Sequence, residues 1–200
     1  MMPATETAYF GGGCFWCAEA IFNQLRGVNA VVSGYAGGQA QKPNYQTVSA
    51  GQTGHAEVVK VEFDPQQISY QDLLSVFFAT HDPTTRNRQG QDIGNQYRSL
   101  ILYASPEQKI AAEDFIRQLS SDKIFPLPIV TEVVAQDCFY PAEDYQRDYY
   151  QTHSDAPYCL VVIDPKLSHL RARFGQLLKN HRPRRYSKSN ELSDRKRLAI

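Results

Sequence analysis

Two hundred residues, 42% of them hydrophobic, suffice for one folded domain whose core needs no disulfide framework. Formal net charge is zero, which argues against a globally basic nucleic-acid binder, but the charge is uneven. Residues 181–200 hold seven Lys/Arg against two Asp/Glu, a net of +5, and residues 1–180 therefore carry −5. That basic, apolar-poor end is expected to be a disordered, solvated tail over 181–200, with a single domain over 1–180; an RNA- or membrane-contacting arm is the sharper alternative for the tail. Residues 1–8 show no basic n-region and no apolar h-region, and no apolar run reaches a membrane span. A cytoplasmic location follows as the expectation, with four cysteines kept reduced and better suited to metal binding or catalysis than to bridges.

In chain order, Tyr9 and Phe10 end a short strand at Gly11-Gly12-Gly13. Ala18, Ile21, Phe22 and Leu25 then fall at helical spacing, predicting an amphipathic helix from near Cys14 to just before Gly27. Val28–Ser33 reads as a strand and residues 34–45 as a long polar loop. Val59, Val61 and Phe63 alternate on a strand closed by Asp64-Pro65. Tyr70, Leu73, Leu74, Phe77 and Phe78 mark a second helix. Residues 81–96 lack periodicity and read as a functional surface loop. Ser99–Tyr103 is a strand, Ala112 to Leu119 marks a third helix, and Pro128–Ala135 another strand. Residues 141–151 are polar-aromatic with helical character. PYCLVVIDP (157–165) leads into a last helix with Leu167, Leu170, Phe174, Leu177 and Leu178 inward. The alternation predicts a two-layer α+β or α/β sandwich of a mixed β-sheet and packed helices.

The stretch GGGCFWC (11–17) carries the chemistry. A thiol at a helix N-terminus faces free backbone N–H groups and the positive end of the helix dipole, and both favour the nucleophilic thiolate. Glycines before it allow a sharp turn and a close substrate approach. A zinc site would need a second ligand pair, yet Cys138 and Cys159 stand apart and the histidines show no ligand spacing. A phosphate-binding turn would need Lys and Ser/Thr, which this stretch lacks. Two forms of thiol chemistry remain: a dithiol oxidoreductase working through Cys14 and Cys17, or a nucleophile with an apolar pocket walled by Phe15 and Trp16.

The motifs GGGCFW, GYAGG, PNYQTV, TGHAEVVKVEFDP, HDPT, QGQDIGNQYRS and FYPAEDYQRDYY together resemble the A-type peptide methionine sulfoxide reductases, from about Tyr9 to Leu178. The resemblance implies a catalytic domain that reduces the S epimer of methionine sulfoxide, free or in oxidised proteins, to repair oxidative damage. It implies no metal or bound cofactor, thioredoxin as reductant, and no nucleic-acid or membrane partner. Cys14 matches the nucleophile, and Phe15 and Trp16 match the aromatics around the substrate methyl group. Glu57 matches the acid on the sulfoxide oxygen, Tyr45 and Tyr97 match phenols aimed at that oxygen, and Asp92 matches a carboxylate that organises the site. Glu57 can donate only if burial lifts its pKa from about 4.3 toward neutrality. Attack leaves Cys14 as a sulfenic acid. Cys159 matches the resolving cysteine; Cys17, where many relatives carry Gly, is the alternative resolving thiol. Cys159 is expected outside regular structure, on a segment free to swing toward Cys14. Cys138 matches no role.

Overall fold

The computed structural model describes residues 5–179, so the expected tail over 181–200 lies outside the described residues. Strand β1 (Glu6–Gly12) occupies the interior of a six-stranded sheet. It pairs antiparallel with β3 (Ala56–Phe63) on one side and with β6 (Ser99–Tyr103) on the other. Beyond β3 lie β2 (Val28–Ala36) and then β8 (Phe139–Pro141), both antiparallel; beyond β6 lies β7 (Glu132–Ala135), which is parallel. The mixed sheet is the expected one. Its alternating faces divide the apolar residues into two clusters. The larger lies under helices α1 (Phe15–Phe22), α3 (Tyr70–Thr80), α4 (Pro106–Ser121) and α6 (Asp164–Phe174). The smaller, Ala36, Ala56, Val58, Leu100 and Leu102, sits on the opposite face under Tyr9 and Phe139.

Phe10 anchors the helical layer: its ring stacks on Phe22 of α1 at 5.1 Å and meets Phe77 of α3 at 5.0 Å. Such buried aromatic pairs add about 0.5–1.5 kcal/mol beyond area burial. The strand does not stop at Gly11 as expected but runs on to Gly12. There a Cβ would come within 2.9 Å of the Phe77 ring, so only glycine lets the helix layer approach. Gly13 then takes φ +95, with a would-be Cβ 2.8 Å from Gln89, and turns the chain into α1.

Several boundaries differ from the sequence expectation. Strand β2 continues through Gly34–Ala36, because those residues pair with β3 and β8 at once. The expected loop 34–45 is thereby shortened, and Tyr45–Ser49 forms a short helix, α2, closed by an Asn44–Thr47 capping box. Within 81–96 a two-residue hairpin, β4 (Arg88–Gln89) and β5 (Asp92–Ile93), is followed by a 3₁₀ turn at Asn95–Tyr97. Only Glu132–Ala135 of the expected strand 128–135 pairs. Residues 141–151 are helical only in short pieces, a 3₁₀ turn at Asp144–Gln146 and the start of α5 (Tyr149–Thr152).

Candidate active site

Three elements converge on Cys14. It is the N-cap of α1, the helix that follows the glycine turn, and its side chain makes no capping bond. Glu57, the second residue of β3, is 2% exposed and accepts the Phe15 N–H at 3.0 Å through Oε2. The first free N–H of the helix is therefore given to the carboxyl, not to the thiol. Burial, with the Asp92 charge adding to it and the Phe15 bond opposing, pushes Glu57 up to about 8. At neutral pH it is mostly a carboxylic acid. The Phe15 N–H occupies Oε2, which leaves the proton on the other oxygen, free to be donated.

The thiolate expected of Cys14 does not prevail in this arrangement. Burial first, then the adjacent Cys17 thiol and the Glu57 charge, raise Cys14 well above its ordinary range. The helix is only eight residues long and its leading N–H is engaged, so its dipole does not outweigh desolvation. Cys17 moves the other way, to about 7. The adjacent Cys14 thiol is the main cause, acting against burial and helped by Lys166 and the Tyr158 hydroxyl. The two cysteines thus titrate as a pair, with the first proton eased and the second held.

Tyr45 opens α2, and Tyr97 closes the 3₁₀ turn after β5; both are half-buried. Burial, followed by the Glu57 and Cys14 charges, raises both phenols, so both keep their protons as hydrogen-bond donors. Among the described residues neither hydroxyl is taken by a protein partner. Glu143 positions this side: it accepts the Tyr35 hydroxyl at 2.8 Å and the Tyr45 N–H at 2.9 Å, tying β2 to α2. Phe15 packs on the Tyr35 ring at 5.7 Å.

Trp16 is held on three sides. Its Nε1–H donates to Gln146 Oε1 at 2.9 Å, Tyr149 stacks on one face at 3.7 Å, and Tyr158 meets it edge-on. One face of the expected methyl wall is therefore covered by protein. Asp92 accepts the Tyr158 hydroxyl at 2.8 Å, and that hydroxyl also lies 3.9 Å from the Cys17 sulfur. A cleft of about 970 Å³ reaches Cys14, Cys17, Asp92 and Tyr158 past Phe125 and Val161. Glu57, Phe15, Trp16, Tyr45 and Tyr97 stand outside its lining.

Cys159 contradicts the expectation of an irregular, swinging segment. It is fully buried and begins a π-helical turn, Cys159–Ile163, that runs directly into α6. Pro165 has no N–H to donate to Val161, and the chain takes the wider turn there. Cys138 is exposed. Tyr158, Glu143, Gln146 and Tyr149 are the residues that sequence reasoning missed. Glu143, Gln146 and Tyr149 lie in the motif FYPAEDYQRDYY and Tyr158 directly before Cys159, but nothing in their local spacing marks them.

A buried acid, two proton-bearing phenols and a pair of thiols on one helix end are the groups that thiol-dependent redox chemistry would use. The family model described as peptide methionine sulfoxide reductase matches residues 6–178. A peptide methionine sulfoxide reductase MsrA from Acinetobacter baumannii (strain AYE) is 55% identical over 175 residues, covering 88% of this chain and 99% of that protein. Among solved structures, Mxr1 from Saccharomyces cerevisiae in reduced form gives a TM-score of 0.72 at 27% identity, covering 80% of this chain and 91% of that one. Methionine sulfoxide reductase A of Corynebacterium diphtheriae gives 0.68 at 34% identity, covering 76% and 77%. The chain belongs to the peptide methionine sulfoxide reductase family and is an oxidoreductase that reduces methionine sulfoxide.

Proposed function

We propose that the enzyme reduces the S epimer of methionine sulfoxide, free or within oxidised proteins, by direct attack of the Cys14 sulfur on the sulfoxide sulfur. Glu57 protonates the departing oxygen, and the Tyr45 and Tyr97 hydroxyls donate to it as charge develops there. Phe15 and Trp16 hold the methyl group, and Asp92 orients the site through Tyr158. The observation that carries this reading is the buried Glu57 carboxyl bonded to the backbone beside Cys14. While Glu57 keeps its proton, no carboxylate charge opposes ionisation of Cys14, so the acid serves nucleophile and leaving oxygen together.

The oxygen departs as water. A water then attacks the Cys14 sulfur and gives up a proton to Glu57, the sulfur–sulfur bond breaks to release methionine, and Cys14 is left as a sulfenic acid. A second thiol converts that to a disulfide with loss of water. Cys159 supplies that thiol in the disulfide presented to the reductant, with Cys17 the alternative. Thioredoxin then returns both thiols. Mxr1 of yeast has been solved in complex with Trx2, which supports a protein reductant for this chain too. No described helix is long and apolar enough to cross a membrane. We place the enzyme in the cytoplasm, repairing oxidised methionine, as one catalytic domain over 1–180. The test is turnover coupled to thioredoxin, its reductase and NADPH on each epimer separately. Reduction of the S epimer alone is expected; equal reduction of the R epimer, or none of either, overturns the reading.

A further inference from the structure

The cleft that reaches Cys14 is roomier than one sulfoxide side chain requires. Its volume is about 970 Å³, enough to bury a drug-sized molecule, yet the groups assigned to the sulfoxide oxygen and methyl lie outside its lining. Its apolar surface comes from two segments. Phe125, Pro126 and Leu127 follow α4, and Val161 and Val162 belong to the π-helical turn before α6. Among the described residues, Val161 is 74% and Leu127 59% exposed, so both hold apolar surface in water within a cavity that also contains the nucleophile. Single exposed apolar residues are ordinary, but several gathered in one concavity mark a binding site. The charged groups on the same lining are Asp82, Asp92 and Lys166.

We propose that this cleft receives the polypeptide beside the methionine sulfoxide of an oxidised protein, and that it favours an apolar side chain two residues from the sulfoxide. This rests on the Cys14 mechanism above. The reacting side chain must point at Cys14, and in an extended segment the residues two away point the same way, about 7 Å along the chain. A side chain there enters the concavity that Cys14 lines, where Phe125, Leu127 and Val161 offer it apolar surface. Asp82 and Asp92 set a second preference. With two carboxylates against the single Lys166 ammonium, an acidic side chain meets net repulsion.

The occupant is the substrate chain and not the reductant. A reductant must reach a disulfide, and the second sulfur of the bridge presented to it, Cys159, is wholly buried and off the cleft lining. The cleft is continuous instead with Cys14, the group that meets the sulfoxide. Free methionine sulfoxide has no neighbouring residues and gains nothing from the cleft; a substrate within a polypeptide does. The result is selection among oxidised methionines by their neighbours. Oxidation of a core methionine places a polar group among apolar side chains and disrupts the core. A reductase that favours apolar neighbours acts first on that damage.

The test is single-turnover reduction by excess reduced enzyme, below saturation and without thioredoxin, of capped pentapeptides with methionine sulfoxide at the centre. Leu, Ala or Asp is placed two residues to the N-terminal or the C-terminal side. On at least one side the Leu peptide should react about tenfold faster than the Ala peptide, and the Asp peptide more slowly than both. Val161→Asp and Leu127→Asp should each abolish the preference for Leu; both side chains are too exposed for the change to disturb the core. Equal rates for Leu and Ala peptides on both sides in the wild type overturn the proposal. So does a preference that survives in both variants, and if those variants also lose thioredoxin-supported turnover, the cleft belongs to the reductant. A matching fall in the rate on free methionine sulfoxide would place these residues in the chemistry and likewise overturn it. Failure of the wild type to reduce free methionine sulfoxide or any peptide would instead count against the Cys14 mechanism itself.

Discussion

The strand-and-helix side of the site and the segment that covers it are built by different means. Cys14, Phe15 and Glu57 sit where β1, α1 and β3 meet, each fixed by sheet pairing or by the start of a regular helix. Residues 143–163 instead hold Trp16, Tyr45 and Cys17 through single contacts and stacks from short turns. The contrast is one of task. Attack on a sulfoxide needs a nucleophile and an acid held within a fraction of an ångström. On the proposed mechanism, admitting substrate and bringing in Cys159 require a cover that can rearrange, and short turns with few paired backbone groups open most readily.

The largest effects are expected on the rigid side. Cys14→Ser should reduce turnover to background, because a hydroxyl lacks the thiol's nucleophilicity. Methionine release above the uncatalysed rate in that variant would move the chemistry elsewhere. Glu57→Gln should lower the single-turnover rate by about 10²-fold, since an amide donates a hydrogen bond but delivers no proton. Wild-type activity should also decline as pH rises through about 8, where Glu57 ionises, and the variant should lose that alkaline limb. Unfolding carries the same signature. The folded pKa of Glu57 lies above its ordinary value of 4.5, so the folded state holds more protons between about 4.5 and 8. Its contribution is therefore full below 4.5 and is lost as pH rises through 8. Glu57→Gln should flatten the fall of Tm across that window; an unchanged slope would mean that Glu57 is not held protonated.

The rigid side was also the legible side. A glycine turn between an apolar strand and a 3.6-periodic helix announces itself locally, and Glu57 came with a long motif. The cover did not. Strand β8 has three residues and exists only because β2 offers an edge to pair with. Helix α2 has five residues and rests on a capping box rather than on periodicity. Cys159 to Ile163 carries β-branched residues that suggest an extended chain, but packing on α1 coils it. Tyr158 meets Asp92 across 66 residues, a pairing that no local pattern encodes. The thiolate expected of Cys14 came from the helix end alone; the burial and the competing carboxyl that reverse it belong to tertiary structure.

At the boundary between the two regions lies Trp16, carried by α1 but covered by Tyr149 and Tyr158. Trp16→Ala should raise KM more than it lowers kcat, by the roughly 1–3 kcal/mol that a methyl-sized apolar contact is worth. A large drop in Tm with KM unchanged would assign the indole to packing alone.

The smallest effect should come from the cover itself. Gln146 is buried, and its Oε1 accepts the Trp16 Nε1–H. The indole is only half-buried, so water can replace the lost acceptor in Gln146→Ala. That limits the cost to about 1 kcal/mol, the net value of one hydrogen bond between neutral groups. If the bond serves to orient Trp16 for the methyl group, the loss should appear as a several-fold rise in KM, with the single-turnover rate at saturation and the Glu57 pH limb unchanged. If it serves instead to hold the cover shut, KM should fall, because substrate no longer displaces the Gln146 contact. Steady-state kinetics on free methionine sulfoxide separate the two. A change in the saturated chemical rate would show that the cover and the catalytic corner are one rigid unit with no division of labour between them.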